Sequence, residues 1–209
     1  EMENSIEYKK LLNHSEKLIK KWFNEGKGLR GYKLKNFTSG DGSNSGFESI
    51  TENILKKALE IFNLENRALI NGDYITDPNG EYDNQRMDNH VWIDDELVLV
   101  EENRAWIDKP FYILKRSVVK GFMELPHTRA KLSDDAEFLF SSLAKDVTDT
   151  TISTSEHLYG YGDKITEVNF SGHPRRSTKF NYFDNGYDEN ELKKYIKTLC
   201  RVFGKHAKK

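Results

Sequence analysis

The sequence has almost no cysteine, since Cys200 is the only one among 209 residues. A single thiol excludes an internal disulfide framework and any zinc site built from several cysteines, and it is typical of a reducing compartment. Cys200 also falls on the apolar side of a predicted helix, which favours a core residue over a catalytic nucleophile.

Long apolar runs and paired histidine motifs are also missing. No stretch approaches the roughly 18 apolar residues that a membrane helix needs, and the first ten residues contain no apolar signal-peptide core. We therefore expect a cytoplasmic protein with no membrane partner. A hydrolase with histidine metal ligands is a weaker hypothesis, because no motif such as HExxH occurs. Its available ligands would be Asp88, His90, His127, His157 and His173.

Charge is plentiful but unevenly distributed. Charged residues make up 32% of the chain and the formal net charge is -2. Acids concentrate between Asp83 and Asp108, whereas Lys9 to Lys35 and Pro174 to Lys179 are rich in Lys and Arg. Because phosphate binding depends on a local basic surface, the near-neutral total does not exclude a nucleic-acid partner.

The length favours a single domain over 1–209, with an N-terminal helical part over 1–70 and a core over 71–209. Apolar spacing predicts amphipathic helices, and the lysine pairs of the first are expected to form a solvated face. Helices are predicted from about Asn4 to Asn24, from Phe47 to Phe62, after Pro110 and from Asp188 to Phe203, and strands at Glu137 to Ala144 and Lys164 to Phe170. This order predicts an α/β or α+β domain with a central mixed β-sheet flanked by helices.

The stretch from Arg86 to Trp106 carries the strongest signal. Val91 to Ile93 and Leu97 to Val100 predict two short antiparallel strands, with polar residues between them as the turn. Folding about that turn brings the acid before the first strand close to the acids that follow the second. These acids are Asp88, Glu101 and Glu102.

Carboxylates held this close repel each other unless a cation or a shared proton relieves them. Oxygen ligands of this kind suit Mg²⁺, Ca²⁺ or Mn²⁺. The alternative is a structural role, because acids at exposed strand ends and edges often prevent pairing with another strand. Glu48 and Glu52 either favour the start of their own helix or bring one more carboxylate to the cluster.

This hairpin resembles the core of the PD-(D/E)XK nuclease superfamily, best known from type II restriction endonucleases. The family pattern is an Asp at the start of one strand, then Glu or Asp, any residue and Lys on the next strand. Over Met87 to Arg104, Asp88 matches the first acid and Glu101 the second, with Asn103 replacing the usual Lys. The other strand phase would use Glu102, with Arg104 replacing the Lys. We favour Glu101, because an amide can still orient water and because Leu97, Leu99, Glu101 and Asn103 would share one face.

The resemblance implies a restriction-endonuclease-like fold and Mg²⁺-dependent, sequence-specific cleavage of double-stranded DNA. Asp88 and Glu101 would hold Mg²⁺, Asn103 would position the attacking water, and a palindromic target would favour a homodimer. DNA contacts are expected from Arg104, Lys115, Arg116, His173, Arg175, Arg176, Lys179 and the loop from Gly26 to Gly46. The alternative is a noncatalytic DNA- or protein-binding module, in which the acidic hairpin is only surface charge.

Overall fold

The structure is a computed structural model that describes residues 1–26, 46–70, 88–107, 130–145, 165–171 and 186–208. Within these ranges the chain forms three α-helices, five strands and two short 3-10 turns. The helices are α1 (Ile6–Gly26), α2 (Gly46–Ile61) and α3 (Glu189–Ala207), and the turns are Met2–Asn4 and Glu65–Arg67. The strands are β1 (Ala68–Ile70), β2 (Asn89–Ile93), β3 (Glu96–Ile107), β4 (Leu132–Lys145) and β5 (Ile165–Asn169).

The strands form one mixed sheet in the order β1-β2-β3-β4-β5. The pairs β1/β2 and β2/β3 are antiparallel, whereas β3/β4 and β4/β5 are parallel. The long central strand β3 therefore joins an antiparallel half of the sheet to a parallel half. The molecule is an α+β protein with a five-stranded mixed sheet, as the order of elements predicts.

The three helices pack against each other, and α2 and α3 also pack against the sheet. At the contact of α1 with α2, the rings of Trp22 and Phe47 stack with centroids 5.6 Å apart, and Phe47 meets the edge of Phe170 at 5.6 Å. Sheet residues such as Leu99 and Val168 are fully buried beneath them. Of the helices that the structure describes, none is long and apolar enough to cross a membrane.

A two-residue turn closes the β2/β3 hairpin. Asp94 and Asp95 have φ of 50° and 65°, the left-handed values that a tight primed turn requires and that Asp tolerates better than most residues. Arg67 donates to the Asp94 carboxylate at 3.0 Å, and Lys131 pairs with Asp95. The turn is thus tied both to the segment before β1 and to the start of β4.

The hairpin contains an irregularity that the sequence pattern does not reveal. Trp92 pairs with Leu97, but Val91 pairs with Leu99, so β3 carries one extra residue, Val98. Val98 and Leu99 both belong to the core under the helices, whereas Leu97 does not. The prediction that Leu97 shares a face with Leu99 and Glu101 is therefore wrong, because the bulge reverses the alternation between them.

The three described helices are confirmed within a few residues of their predicted ends, and β4 and β5 confirm the two later strands. Asp188 accepts a hydrogen bond from the Glu191 amide at 3.0 Å, which is the predicted cap of the last helix. The expectation of a short second hairpin strand is wrong, because pairing with β4 continues β3 to Ile107. The predicted helix after Pro110 and the loop from Gly26 to Gly46 fall mostly outside the described residues.

We expect Phe47→Ala to lower the free energy of unfolding by about 3–5 kcal/mol, because it removes a fully buried ring from the contact of two helices and the sheet. Urea unfolding followed by circular dichroism would measure the loss. The matched control is Leu69→Ala on the edge strand, where the side chain is 54% exposed and the expected change is within about 0.5 kcal/mol. Similar losses in both variants would contradict the assignment of the core.

Candidate functional site

The β2/β3 ladder ends in a reciprocal clamp between side chains and backbone. The backbone pair farthest from the turn joins Asn89 to Glu101. Beyond it, the Asp88 amide donates to Glu102 Oε1 at 3.1 Å, and the Asn103 amide donates to Asp88 Oδ2 at 2.8 Å. The two strands are therefore joined through carboxylates at the end of the hairpin opposite the turn. This arrangement brings Asp88 to the acidic stretch of β3, as predicted.

Glu101 lies on the helix-facing side of the sheet and is completely buried. Its Oε2 accepts a hydrogen bond from Ser141 Oγ at 2.5 Å, and its Oε1 accepts one from the Tyr195 hydroxyl at 3.1 Å. Asn89 adds a side-chain hydrogen bond. Residues from β2, β4 and α3 thus fix the orientation of this one carboxylate.

The pKa of Glu101 is raised to about 7. Burial is the main cause, since it disfavours the charged form, and the negative charge of Asp88 adds to it; the hydrogen bonds from Ser141, Tyr195 and Asn89 act in the opposite direction. At neutral pH this carboxyl group is therefore partly protonated, and a nearby cation would favour its charged form.

Asn103 supplies unused hydrogen-bonding capacity beside these acids. The residue is 3% exposed, and neither Oδ1 nor Nδ2 of its side chain hydrogen-bonds within the described part of the chain. Leaving a buried amide unsatisfied costs about 1–3 kcal/mol, so such a group is unusual without a ligand or another role. In the strand alternation Asn103 shares a face with Glu101.

The two acids suit a metal ion whose remaining ligands are water and substrate oxygens. No group of three or more His, Cys, Asp or Glu side chains suited to a metal ion occurs among the described residues. Mg²⁺ in particular is usually held by one or two carboxylates, with water and substrate phosphates as the remaining ligands. Asp88 and Glu101 meet that requirement in number and in donor type.

Helix α2 reaches this end of the sheet through a polar contact. The Asn89 amide donates to Thr51 Oγ1 at 3.3 Å, and Thr51 is itself bonded to the backbone of its own helix. Glu48 lies one turn before Thr51 and is half-buried, while Glu52 pairs with Lys56 at 2.9 Å. The Glu52 carboxylate therefore pairs within α2, whereas a contribution of Glu48 to the acidic cluster stays a prediction.

His90 and Cys200 have ordinary structural roles. His90 accepts a hydrogen bond from Trp92 Nε1 at Nδ1 with a length of 2.8 Å, and burial lowers its pKa to about 4. The imidazole is therefore neutral at physiological pH. Burial raises the pKa of the Cys200 thiol to about 12, which fits its predicted place in the core. His127, His157 and His173 lie outside the described residues.

Of the individually predicted DNA contacts, Arg104 lies within the described residues. Arg104 lies in β3, where its backbone pairs with Ser142 of β4. Ser141, Tyr195 and Asn89 are the site residues that sequence reasoning missed. The other predicted DNA contacts lie outside the described residues; they are Lys115, Arg116, His173, Arg175, Arg176 and Lys179.

Comparisons with protein-family models, curated proteins and solved structures found no match to this chain.

We expect Glu101→Gln to gain stability relative to the unchanged protein as the pH rises from about 5 to 8. The carboxyl has a pKa near 4.5 in the unfolded chain and about 7 in the folded one, so the folded state binds the extra proton between these values. The unchanged protein loses up to about 3 kcal/mol across that window, and the amide variant does not.

Urea unfolding at a series of pH values in EDTA would measure the difference. The control is Glu96→Gln, which changes an exposed glutamate of the same strand and should run parallel to the unchanged protein. Parallel curves for Glu101→Gln would show that the carboxyl does not take up a proton on folding.

Proposed function

We propose that the chain is a Mg²⁺-dependent endonuclease that hydrolyses phosphodiester bonds of double-stranded DNA. The observation that carries this proposal is the anchoring of Asp88 on the Asn103 amide, beside the buried Glu101 and the unsatisfied Asn103 side chain. An acid at the start of one strand and Glu-x-Asn on the next reproduce the spacing of the PD-(D/E)XK nuclease pattern. The mixed sheet with an antiparallel β2/β3 hairpin supports a restriction-endonuclease-like arrangement.

In this proposal Asp88 and Glu101 would hold Mg²⁺, which when bound activates a water molecule and neutralises charge at the phosphate and the leaving oxygen. Ser141, Tyr195 and Asn89 keep the Glu101 carboxylate in one orientation. A carboxylate that is already oriented loses less conformational freedom when it binds a metal ion. These neighbours therefore favour one defined geometry of the metal site.

Asn103 would take the place of the usual lysine. An amide offers two donors and an acceptor, so it can orient a water molecule by hydrogen bonding, although it cannot remove a proton as a lysine could. Its position next to Glu101 on the same face of β3 suits that role. The basic residues predicted to contact DNA and the homodimer expected for a palindromic target belong to the same proposal.

We expect Asp88→Asn and Glu101→Gln each to reduce Mg²⁺-dependent cleavage at least about 100-fold, because the loss even of a residue behind a metal ligand costs 10–100-fold. The substrate is a long, sequence-diverse, unmethylated DNA, incubated with Mg²⁺ or EDTA and resolved on a gel. Glu96→Gln is the matched control, since it makes the same change at the exposed end of β3 and should retain activity.

Discrete bands that require Mg²⁺ would establish a sequence-specific nuclease, and a smear would point to a nonspecific one. Full activity in Asp88→Asn would contradict the assignment of the site. Loss of activity in Glu102→Gln with full activity in Glu101→Gln would assign the second ligand to Glu102 instead. If DNA binds but no divalent ion supports cleavage, the noncatalytic binding module is the correct reading.

A further inference from the structure

A groove lies between α1 and α2, away from the acidic end of the sheet. It has a volume of about 540 Å³, and one wall is formed by Lys10, Asn13, His14 and Lys17 of α1. Lys57, Glu60, Ile61 and Asn63 form the other wall and the end. The lining is dominated by nitrogen donors, with Glu60 as its one carboxylate.

The groove has an excess of positive charge that its own residues do not neutralise. Glu60 accepts a hydrogen bond from Lys57 at 3.0 Å, so the single acid is already paired across one turn of α2. Lys10 and Lys17 are exposed and form no ion pair with any residue in the described ranges. Two ammonium groups on one wall are therefore available to an anion.

The walls are also held in place. His14 Nε2 and Asn53 Oδ1 are 2.8 Å apart, which joins α1 directly to α2 beside the groove. The stacked rings of Trp22 and Phe47 hold the same two helices together further along. The groove is thus formed before any ligand arrives, and a ligand would not have to order it.

The structure separates the lysines of α1 into two stripes. At 3.6 residues per turn, Lys10 and Lys17 project in nearly the same direction, toward the groove. Lys9 and Lys20 form a second stripe about a quarter of a turn away, and both are exposed outside the groove lining. Lysines that are adjacent in the sequence, such as Lys9 and Lys10, therefore face different surroundings and do not form the single solvated face that their pattern predicts.

We propose that this groove binds backbone phosphates of duplex DNA outside the cleavage centre. The inference rests on the proposed function, because the duplex is then the substrate of the acidic site. Lys10 and Lys17 lie two turns apart, over about 10 Å of helix, on the same wall of the groove. Three phosphate steps of one DNA strand span about the same length along a duplex, so a row of phosphates matches the groove better than a single anion does.

The position along α2 agrees with a contact to flanking DNA. Thr51 touches Asn89 at the acidic end, and Lys57 lies six residues, or about 9 Å, further along the helix. After α2 the chain continues to Arg67, which binds the hairpin turn at the opposite end of β2. The groove would therefore hold DNA a few base pairs from the bond that is cut.

The test compares two double variants of equal charge. Lys10→Gln/Lys17→Gln removes the groove stripe, and Lys9→Gln/Lys20→Gln removes the second stripe. Binding of a fluorescently labelled DNA duplex is measured by anisotropy in EDTA, so that no cleavage occurs, over a series of KCl concentrations. We expect the slope of log Kd against log[KCl] to fall by about 2 in the groove variant and by less than half of that in the control.

Equal changes in both variants would overturn the inference, because they would reflect overall charge and not the groove. An unchanged slope in the groove variant, or no binding of the duplex by the unchanged protein, would also overturn it. Since cleavage is measured separately with Mg²⁺, active Asp88-dependent cleavage with an unchanged slope would remove the groove and leave the proposed function intact.

Discussion

The burial of one carboxylate constrains much of this structure. Glu101 sits in the middle strand of the sheet, beneath the helices, where a charge is costly unless neighbouring groups stabilise it. The hydroxyls of Ser141 and Tyr195 and the amide of Asn89 provide that stabilisation from three different elements. The packing of α3 on the sheet and the pairing of β3 with β4 are therefore coupled to the state of a single side chain.

Hydrogen bonds hold two acids close together at one end of the sheet. Repulsion between Asp88 and Glu101 would separate two solvated carboxylates. Here the Asp88 carboxylate is held by the Asn103 amide, and the Glu101 carboxylate is held by hydroxyl groups. The protein thus keeps two acids near each other with hydrogen bonds from a backbone amide and from hydroxyl groups, and burial raises the proton affinity of Glu101.

Sequence reasoning predicts the local parts of this arrangement and misses the distant ones. Helical periodicity, the turn acids and the Asp188 cap depend on residues a few positions apart, so a single sequence displays them. Ser141 and Tyr195 come from β4 and α3, and no local pattern marks a hydroxyl that will meet Glu101. The sequence also gives no signal of the bulge at Val98, because a run of aliphatic residues is compatible with either strand phase.

The bulge at Val98 has a consequence for how this hairpin tolerates insertions and deletions. Because side chains alternate with a period of two, a regular ladder continued from the turn would place Glu101 opposite Asp88, whereas the extra residue places it opposite Asn89. Deleting Val98 would make the ladder regular and leave Glu101 opposite Asn89, whereas loss of the bulge with all residues retained would exchange the faces of Glu101 and Glu102. Which side chains each surface of the sheet carries at this end thus depends on the bulge, because a regular ladder of the same length would reverse every acid and amide beyond it.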